Sequence, residues 1–337
     1  MSKIKFWFNN SRPVALPQSM LPALVAAFFA TKYSDFRWYL ALLAIIGVAF
    51  AHLSLNLFDD YFDFKNAEQG DRSALAREGF RAMTVKCPPL VDGTVSPRKW
   101  FLVSCLFALI AVCFGVPVFL IRGMRILWIV LAVAVIGLFY SAPPLKLGYH
   151  GLGELIIGGI FGPALGIGMS IAASGEFHIS EVIISICLGL FVINILYVHS
   201  IMDYAADMKA GKKTLAWLAH NDTVRYIILA FINFAPYVFV ILGVIFKVLS
   251  LYMIICVFAI PWNIALFASM LRFKKDQFAP VEWKGWYGPS SMWEEIRKAG
   301  IDWFMQRWLL ARNANSVFCV LCIIASIAIM IVKFTVL

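Results

Sequence analysis

The sequence predicts an all-α polytopic membrane protein: nine transmembrane helices around one central cavity, with the N-terminus on the cytoplasmic side. Three observations carry this. The 337 residues are 62% hydrophobic and only 14% charged, with a mean hydropathy of +0.83, so long apolar runs dominate over amphipathic stripes. Runs of about 20 mainly apolar residues, enough to cross a bilayer, recur at 14–33, 38–58, 100–121, 125–142, 153–173, 179–198, 226–246, 249–271 and 315–335. If these spans alternate from a cytoplasmic N-terminus, only Lys32, Arg37, Arg122, Arg125, Lys247 and Lys333 fall outside. The other 23 of the 29 Lys and Arg then lie inside, the positive-inside asymmetry.

That asymmetry accounts for the net charge of +10 without a nucleic-acid partner and leaves room for a weak preference for anionic lipid headgroups. Lys3, Lys5 and Arg12 ahead of the first run resemble a signal peptide. The run is too long, however, and lacks a small-x-small cleavage site, so an uncleaved first span is expected. The second span closes on "NLFDDYFDFKN" (56–66). The segment 59–99 follows as a cytoplasmic loop ending in "CPPLVDGTVSPRKW", whose Pro and Gly mark turns before the third span. The fourth span runs into "YSAPPLKLGYHGLGE" (140–154), and the sixth into "HSIMDYAADMKAGKKTLA" (199–216). A second cytoplasmic segment, 272–314, carries Trp283, Trp286, Trp293, Trp303 and Trp308 among many charges, which suits interfacial or cap helices at headgroup depth. The seven cysteines are scattered, mostly within spans, and imply no disulfide framework. Cys319 and Cys322 form a CxxC inside the last run, where small packing residues are expected. The whole chain, 1–337, reads as one transmembrane domain.

The chemistry gathers at two span ends. His52, Asn56, Asp59, Asp60 and Asp63 are spaced three or four apart, so they share one helix face that descends to the cytoplasmic surface. His199, Asp203 and Asp207 recur every four residues at the end of span six, followed by Lys209, Lys212 and Lys213. Ionisable groups inside spans cost roughly 2.5–3.5 kcal/mol each and mark functional cavities. Both clusters leave the membrane on the same side and can face one another across a cavity. Five carboxylates brought together repel unless cations neutralise them. Mg²⁺, which binds through one or two carboxylates plus substrate phosphate, fits that need, so the pair reads as a site for a Mg²⁺-bridged diphosphate. A solvated helix end is the competing reading for either cluster alone. His52 is expected to make an interhelical hydrogen bond. Glu154 is a buried-looking acid that either orients an acceptor or pairs at an interface.

"DDYFD" satisfies the DDxxD pattern of soluble isoprenoid synthases, and this chain resembles the UbiA superfamily of intramembrane prenyltransferases over most of its length. The resemblance is strongest to the 1,4-dihydroxy-2-naphthoate polyprenyltransferase branch, through "SRPVALPQSMLPALVA" (11–26), "NLFDDYFDFKN", "PPLVDGTVSP" (88–97), "YSAPPLKLGYHGLGE" and "DYAADMKAGKKTLA" (203–216). The branch usually has Asn-Asp where this chain has Asp59-Asp60, and Asn-Asn-x-Arg-Asp where this chain has His199-Ser200-Ile201-Met202-Asp203. The resemblance implies Mg²⁺-dependent transfer of a polyprenyl group from its diphosphate to an aromatic acceptor at a cytoplasm-facing site of the inner membrane. It implies Asp59, Asp60, Asp63, Asp203 and Asp207 as metal ligands, with Asp63, Asp203, Asp207 and Tyr140 in the catalytic machinery. Lys65, Lys146, Lys212, Asn56 and His199 are implied around the diphosphate. An acceptor other than the naphthoate remains open, either 4-hydroxybenzoate or a lipid alcohol. So do an ion transporter and a non-catalytic isoprenoid-binding protein. A transporter predicts acids deep within spans, whereas these acids cluster at span ends.

Overall fold

The computed structural model describes residues 2–66, 87–209, 211–290 and 292–335. The described chain is helical without a strand, apart from one isolated bridge pairing His150 with Lys213. A short helix α1 (Lys3–Asn10) precedes α2 (Pro17–Ala30), which with the turn before it makes an 18-residue apolar stretch, Pro13–Ala30. The bundle continues with α3 (Trp38–Asn66), α4 (Pro97–Arg122), α5 (Met124–Leu138), α6 (Gly153–Ser174), α7 (Ile179–Met202), α8 (Asp222–Ile245), α9 (Leu251–Lys275) and α10 (Asp302–Thr335). By length and composition, eight helical stretches of the described chain can cross a membrane. The expected span at 125–142 is represented by α5, only 15 residues long, so the predicted nine become eight plus one shorter apolar helix.

Burial orders the bundle. α7 has 67% of its most apolar window buried and is the central helix, whereas α4 has 11% and presents Leu102, Leu106, Leu109 and Val116 outward. An all-round apolar helix at the edge of a bundle is what lipid contact requires, and the chain is a multi-pass membrane protein. α3 packs along α4, where Trp100 Nε1 donates to the Leu57 carbonyl at 2.9 Å and Ser54 Oγ to that of Ser104 at 2.9 Å. Ser19 on α2 meets His52 Nδ1 on α3 at 2.6 Å, the interhelical bond expected of that histidine.

Two segments differ from expectation. α3 continues as helix to Asn66, so the segment from 59 is not loop at its start; its part at 67–86 lies outside the described residues. At the other segment, α10 begins at Asp302, and Trp303, expected at the interface, is buried. The reason is polar pairing within the fold. Arg307 Nε donates to the Ser269 carbonyl on α9 (3.1 Å), Gln306 Nε2 to that of Glu282 (2.7 Å) and Asn313 Nδ2 to that of Tyr287 (2.8 Å). These residues look solvated in sequence but find carbonyl partners in the interior, although Arg307 Nη2 stays without one.

The bundle has two distinct ends. At one, Arg122 pairs with Asp35 and donates to the carbonyls of Ala172 (3.0 Å) and Ala173 (2.7 Å), while Lys32 lies 2.7 Å from Glu181. The hydrogen bond from Arg122 holds the Asp35 carboxyl below its ordinary range. The other end collects the acids of α3 and α7.

Candidate active site

Carboxylates near a helix C-terminus oppose the helix dipole, at a cost of some 0.3–1 kcal/mol each. Asp59, Asp60 and Asp63 occupy the last two turns of α3, and Asp203 is the C-terminal cap of α7. Helix stability therefore does not explain them. Asp60, Asp63, Asp203 and Asp207 are also buried, which demands compensation by hydrogen bonds or opposite charge.

The compensation comes from three directions. Arg12, in the turn between α1 and α2, places Nη2 2.7 Å from Asp59 Oδ2 and 3.4 Å from Asp60 Oδ1, and donates to the Asn56 carbonyl at 3.1 Å. Burial opposes the guanidinium charge, but Asp60 and Asp59 more than offset it and hold Arg12 above its ordinary pKa. From the α5–α6 connection, Ser141 donates to Asp59 Oδ1 and the Tyr149 hydroxyl to Asp63 Oδ1 at 2.5 Å. Within α7, His199 Nε2 lies 2.7 Å from Asp203 Oδ2, with its ring edge-on to Phe304. Asp207 follows in the short helix Tyr204–Lys209, where its carbonyl accepts from the Lys212 amide at 2.9 Å.

The α5–α6 connection joins the two acidic ends. Besides Tyr149 on Asp63, the Gly151 amide donates to the Lys213 carbonyl at 3.0 Å, tying this loop to the segment that follows Asp207. Glu154 opens α6 and accepts from Ser200 Oγ (2.5 Å) and the Leu215 amide (3.1 Å). Both of its oxygens serve the chain, so it is the pairing alternative, not an acceptor contact, that this geometry favours.

The other expected residues are placed more loosely. Asn56 Nδ2 donates to the Ser11 carbonyl at 3.0 Å and so pins the Arg12 turn. Tyr140 packs where a Cβ on Gly148 would sit 2.8 Å from its ring, so one face of that ring is covered by backbone. Lys65 lies 5.0 Å above the Tyr61 ring. Lys146 is half-buried with left-handed backbone (φ 42°), and Lys212 is half-buried beside Asp207. The sequence reading gave Arg12 only as a charge ahead of the first span and did not single out Ser141 or Tyr149, although the strings that contain them, "SRPVALPQSMLPALVA" and "YSAPPLKLGYHGLGE", stood out.

Among the described residues, no three of His, Cys, Asp and Glu gather closely enough to hold a metal ion by themselves. The acids sit at two helix ends, on α3 and at and after the end of α7, joined through the α5–α6 connection. Such a donor set is nonetheless hard oxygen throughout. Mg²⁺ held by one or two carboxylates plus substrate phosphates needs no all-protein cage, so the residues fit a metal that arrives with an anionic substrate.

A bundle of membrane-length helices with buried carboxylates, paired with basic and hydroxyl side chains at one end, defines a membrane-embedded protein with an acidic site at that end. The chain belongs to the UbiA prenyltransferase family, whose model matches residues 19–283, and is a prenyltransferase. It is 26% identical over 227 residues to a 1,4-dihydroxy-2-naphthoate octaprenyltransferase of Bacillus subtilis, covering 66% of this chain and 68% of that one. The solved structure of a digeranylgeranylglyceryl phosphate synthase superposes with a TM-score of 0.64 at 15% identity, over 97% of this chain and 100% of that one. A UbiA homologue from Archaeoglobus fulgidus, bound to GPP and Mg²⁺, superposes with a TM-score of 0.59 at 17% identity, over 96% and 98%. At these identities the structures speak for the fold.

Proposed function

We propose that this prenyltransferase moves a polyprenyl group from a polyprenyl diphosphate to a ring carbon of an aromatic acceptor, 1,4-dihydroxy-2-naphthoate. The observation that carries the reading is the shared rim: the Tyr149 bond to Asp63 and the Gly151 bond to Lys213 link the acids of α3 to those of α7. A diphosphate can be gripped there from both sides. The name of the Bacillus subtilis relative supports the choice of acceptor.

In this reaction the allylic C–O bond breaks and the diphosphate leaves with the electron pair. The ring carbon forms the new C–C bond as its carboxyl group departs as carbon dioxide. Asp60, Asp63, Asp203 and Asp207 would hold Mg²⁺ together with the diphosphate, and the ion would supply positive charge for the leaving group. His199 orients Asp203, Tyr149 orients Asp63, and Lys65, Lys146 and Lys212 lend further positive charge around the headgroup. Tyr140 offers its ring to the allylic carbon. The apolar helices around the site take up the isoprenoid tail and keep water from the cation. The positive-inside distribution supports an acidic end facing the cytoplasm.

The test is transfer from a labelled polyprenyl diphosphate by the purified chain in nanodiscs, with Mg²⁺ or EDTA. The acceptors are 1,4-dihydroxy-2-naphthoate, 4-hydroxybenzoate and a glycerol-phosphate lipid. Product with the naphthoate, abolished by EDTA, is the expected result. Product with another acceptor alone replaces the acceptor, and absence of diphosphate release with all three overturns the reading.

A further inference from the structure

Four of the seven cysteines, Cys187 on α7, Cys256 on α9 and Cys319 and Cys322 on α10, are buried in one apolar core cluster. Cys187 lies in the early turns of α7, whose other end Asp203 caps, so the cluster is remote from the acids. Two of these thiols have partners of other kinds. Cys187 Sγ donates to the Pro236 carbonyl on α8 (3.5 Å), and Cys319 Sγ to Asn315 Oδ1 within α10 (3.7 Å). Cys256 and Cys322 instead meet each other, Sγ to Sγ at 3.5 Å between α9 and α10, 66 positions apart in the chain. The CxxC legible in the sequence is therefore not the thiol pair of the fold.

The backbone explains how Cys256 is aimed. The first nine residues of α9, Leu251–Ala259, wind as 3₁₀ helix, although such runs uncommonly exceed three or four residues. Three residues per turn put Met253, Cys256 and Ala259 on one line, and these are the buried positions of the segment, packed along α10. In an α-helix each step of three would swing round by about 60°, and the line would break. The poorer hydrogen-bond geometry of 3₁₀ helix also leaves this segment freer to adjust than the α-helical remainder of α9.

Two thiols in contact are one two-electron oxidation from a disulfide: both S–H bonds break, the S–S bond forms, and two electrons and two protons leave. The exposed neighbours of the pair in sequence, Phe258 on α9 and Val320 and Ile324 on α10, are apolar, so a reagent arrives from lipid. One that removed electrons alone would strand charge in hydrocarbon, which is costly. The acceptor must be neutral before and after, taking electrons and protons together, and a lipid-soluble quinone that departs as the quinol meets this requirement. We propose that Cys256 and Cys322 form a redox modification site, oxidised by a lipid-soluble quinone to a disulfide that braces α9 against α10. Nothing in this depends on the prenyl-transfer reading.

The test incubates the wild-type chain, in nanodiscs and without oxygen, with duroquinone, whose fully substituted ring offers no carbon for thiol addition. Remaining thiols are alkylated after unfolding, and the digest is read by mass spectrometry. The expected result is a linked Cys256–Cys322 peptide, two hydrogens lighter than its reduced parts, with about one quinol formed per chain. Glutathione disulfide, charged and water-soluble, leaves both cysteines open to alkylation. Cys256→Ala and Cys322→Ala each abolish quinol formation, whereas Cys187→Ala keeps it. The cross-linked chain melts about 3 °C or more above the reduced chain, and dithiothreitol reverses the gain. Full alkylation of Cys256 and Cys322 after duroquinone, or a Cys319–Cys322 linkage in their place, overturns the site. Equal cross-linking by glutathione disulfide overturns the route through lipid, and an unchanged melting temperature overturns the brace.

Discussion

Asp63→Asn and Asp203→Asn are each expected to lower prenyl transfer about 10²-fold or more, equivalent to about 3 kcal/mol of transition-state stabilisation. Both carboxylates are buried at helix C-termini, where their charge works against the helix. Asparagine keeps the shape and one acceptor oxygen, so Tyr149 still has a partner at Asp63 and His199 at Asp203. What it removes is the negative charge that binds a cation beside the leaving diphosphate. Thermal stability should consequently stay level or rise, because a buried charge disappears while packing is kept. Activity and stability moving in opposite directions is the signature of a site residue. Asp35→Asn, at the opposite end of the bundle beside Arg122, serves as the control and should leave transfer unchanged.

The second large effect is structural. α6 approaches α7 through Gly158, Gly162 and Gly189, in the manner of small-residue contacts between membrane helices. A Cβ on Gly162 would lie 2.5 Å from the Gly189 Cα, 2.6 Å from the Ser185 carbonyl oxygen and 2.7 Å from the Gly189 amide nitrogen. All three are backbone atoms that cannot swing aside. Gly162→Ala must therefore separate the helices, at an expected cost of about 3 kcal/mol or more. The displacement propagates to function, because α6 carries Glu154 to Ser200 and Leu215 at the rim. Gly159 on the same helix offers the comparison. A Cβ there meets nothing within 4 Å, so Gly159→Ala should melt at or above the wild-type temperature while Gly162→Ala melts well below it. Fluorescence-detected size exclusion of heated, detergent-solubilised samples reads both.

The contrast between these two glycines shows where sequence reasoning stops. Hydropathy located the membrane helices because lipid imposes a simple requirement, some 20 apolar residues, that any stretch meets or fails locally. It did not locate the start of α10, because Gln306, Arg307 and Asn313 each donate to a carbonyl on α9 or in the segment before α10, 24 to 38 residues away in the chain. The acids were legible for a local reason as well: spacings of three and four put Asp59, Asp60 and Asp63 on one face, and Asp203 and Asp207 on another. Their partners were not. No spacing rule connects Arg12 to Asp59, 47 positions on, or Tyr149 to Asp63, 86 positions back. The expectation that five carboxylates brought together repel unless cations neutralise them looked to an added cation to answer their charge. The chain answers much of it with its own arginine, hydroxyls and imidazole.

The central claim is that the acids of α3 and α7 act on one diphosphate. Its most direct measurement is Mg²⁺-dependent binding of an unreactive polyprenyl thiodiphosphate to the wild-type chain, to Asp63→Asn, to Asp203→Asn and to the double variant. The account predicts that each single substitution weakens binding about tenfold or more and that the double variant falls short of the product of the two. Full-strength binding in either single variant would contradict it, because the two helix ends would then not share a ligand.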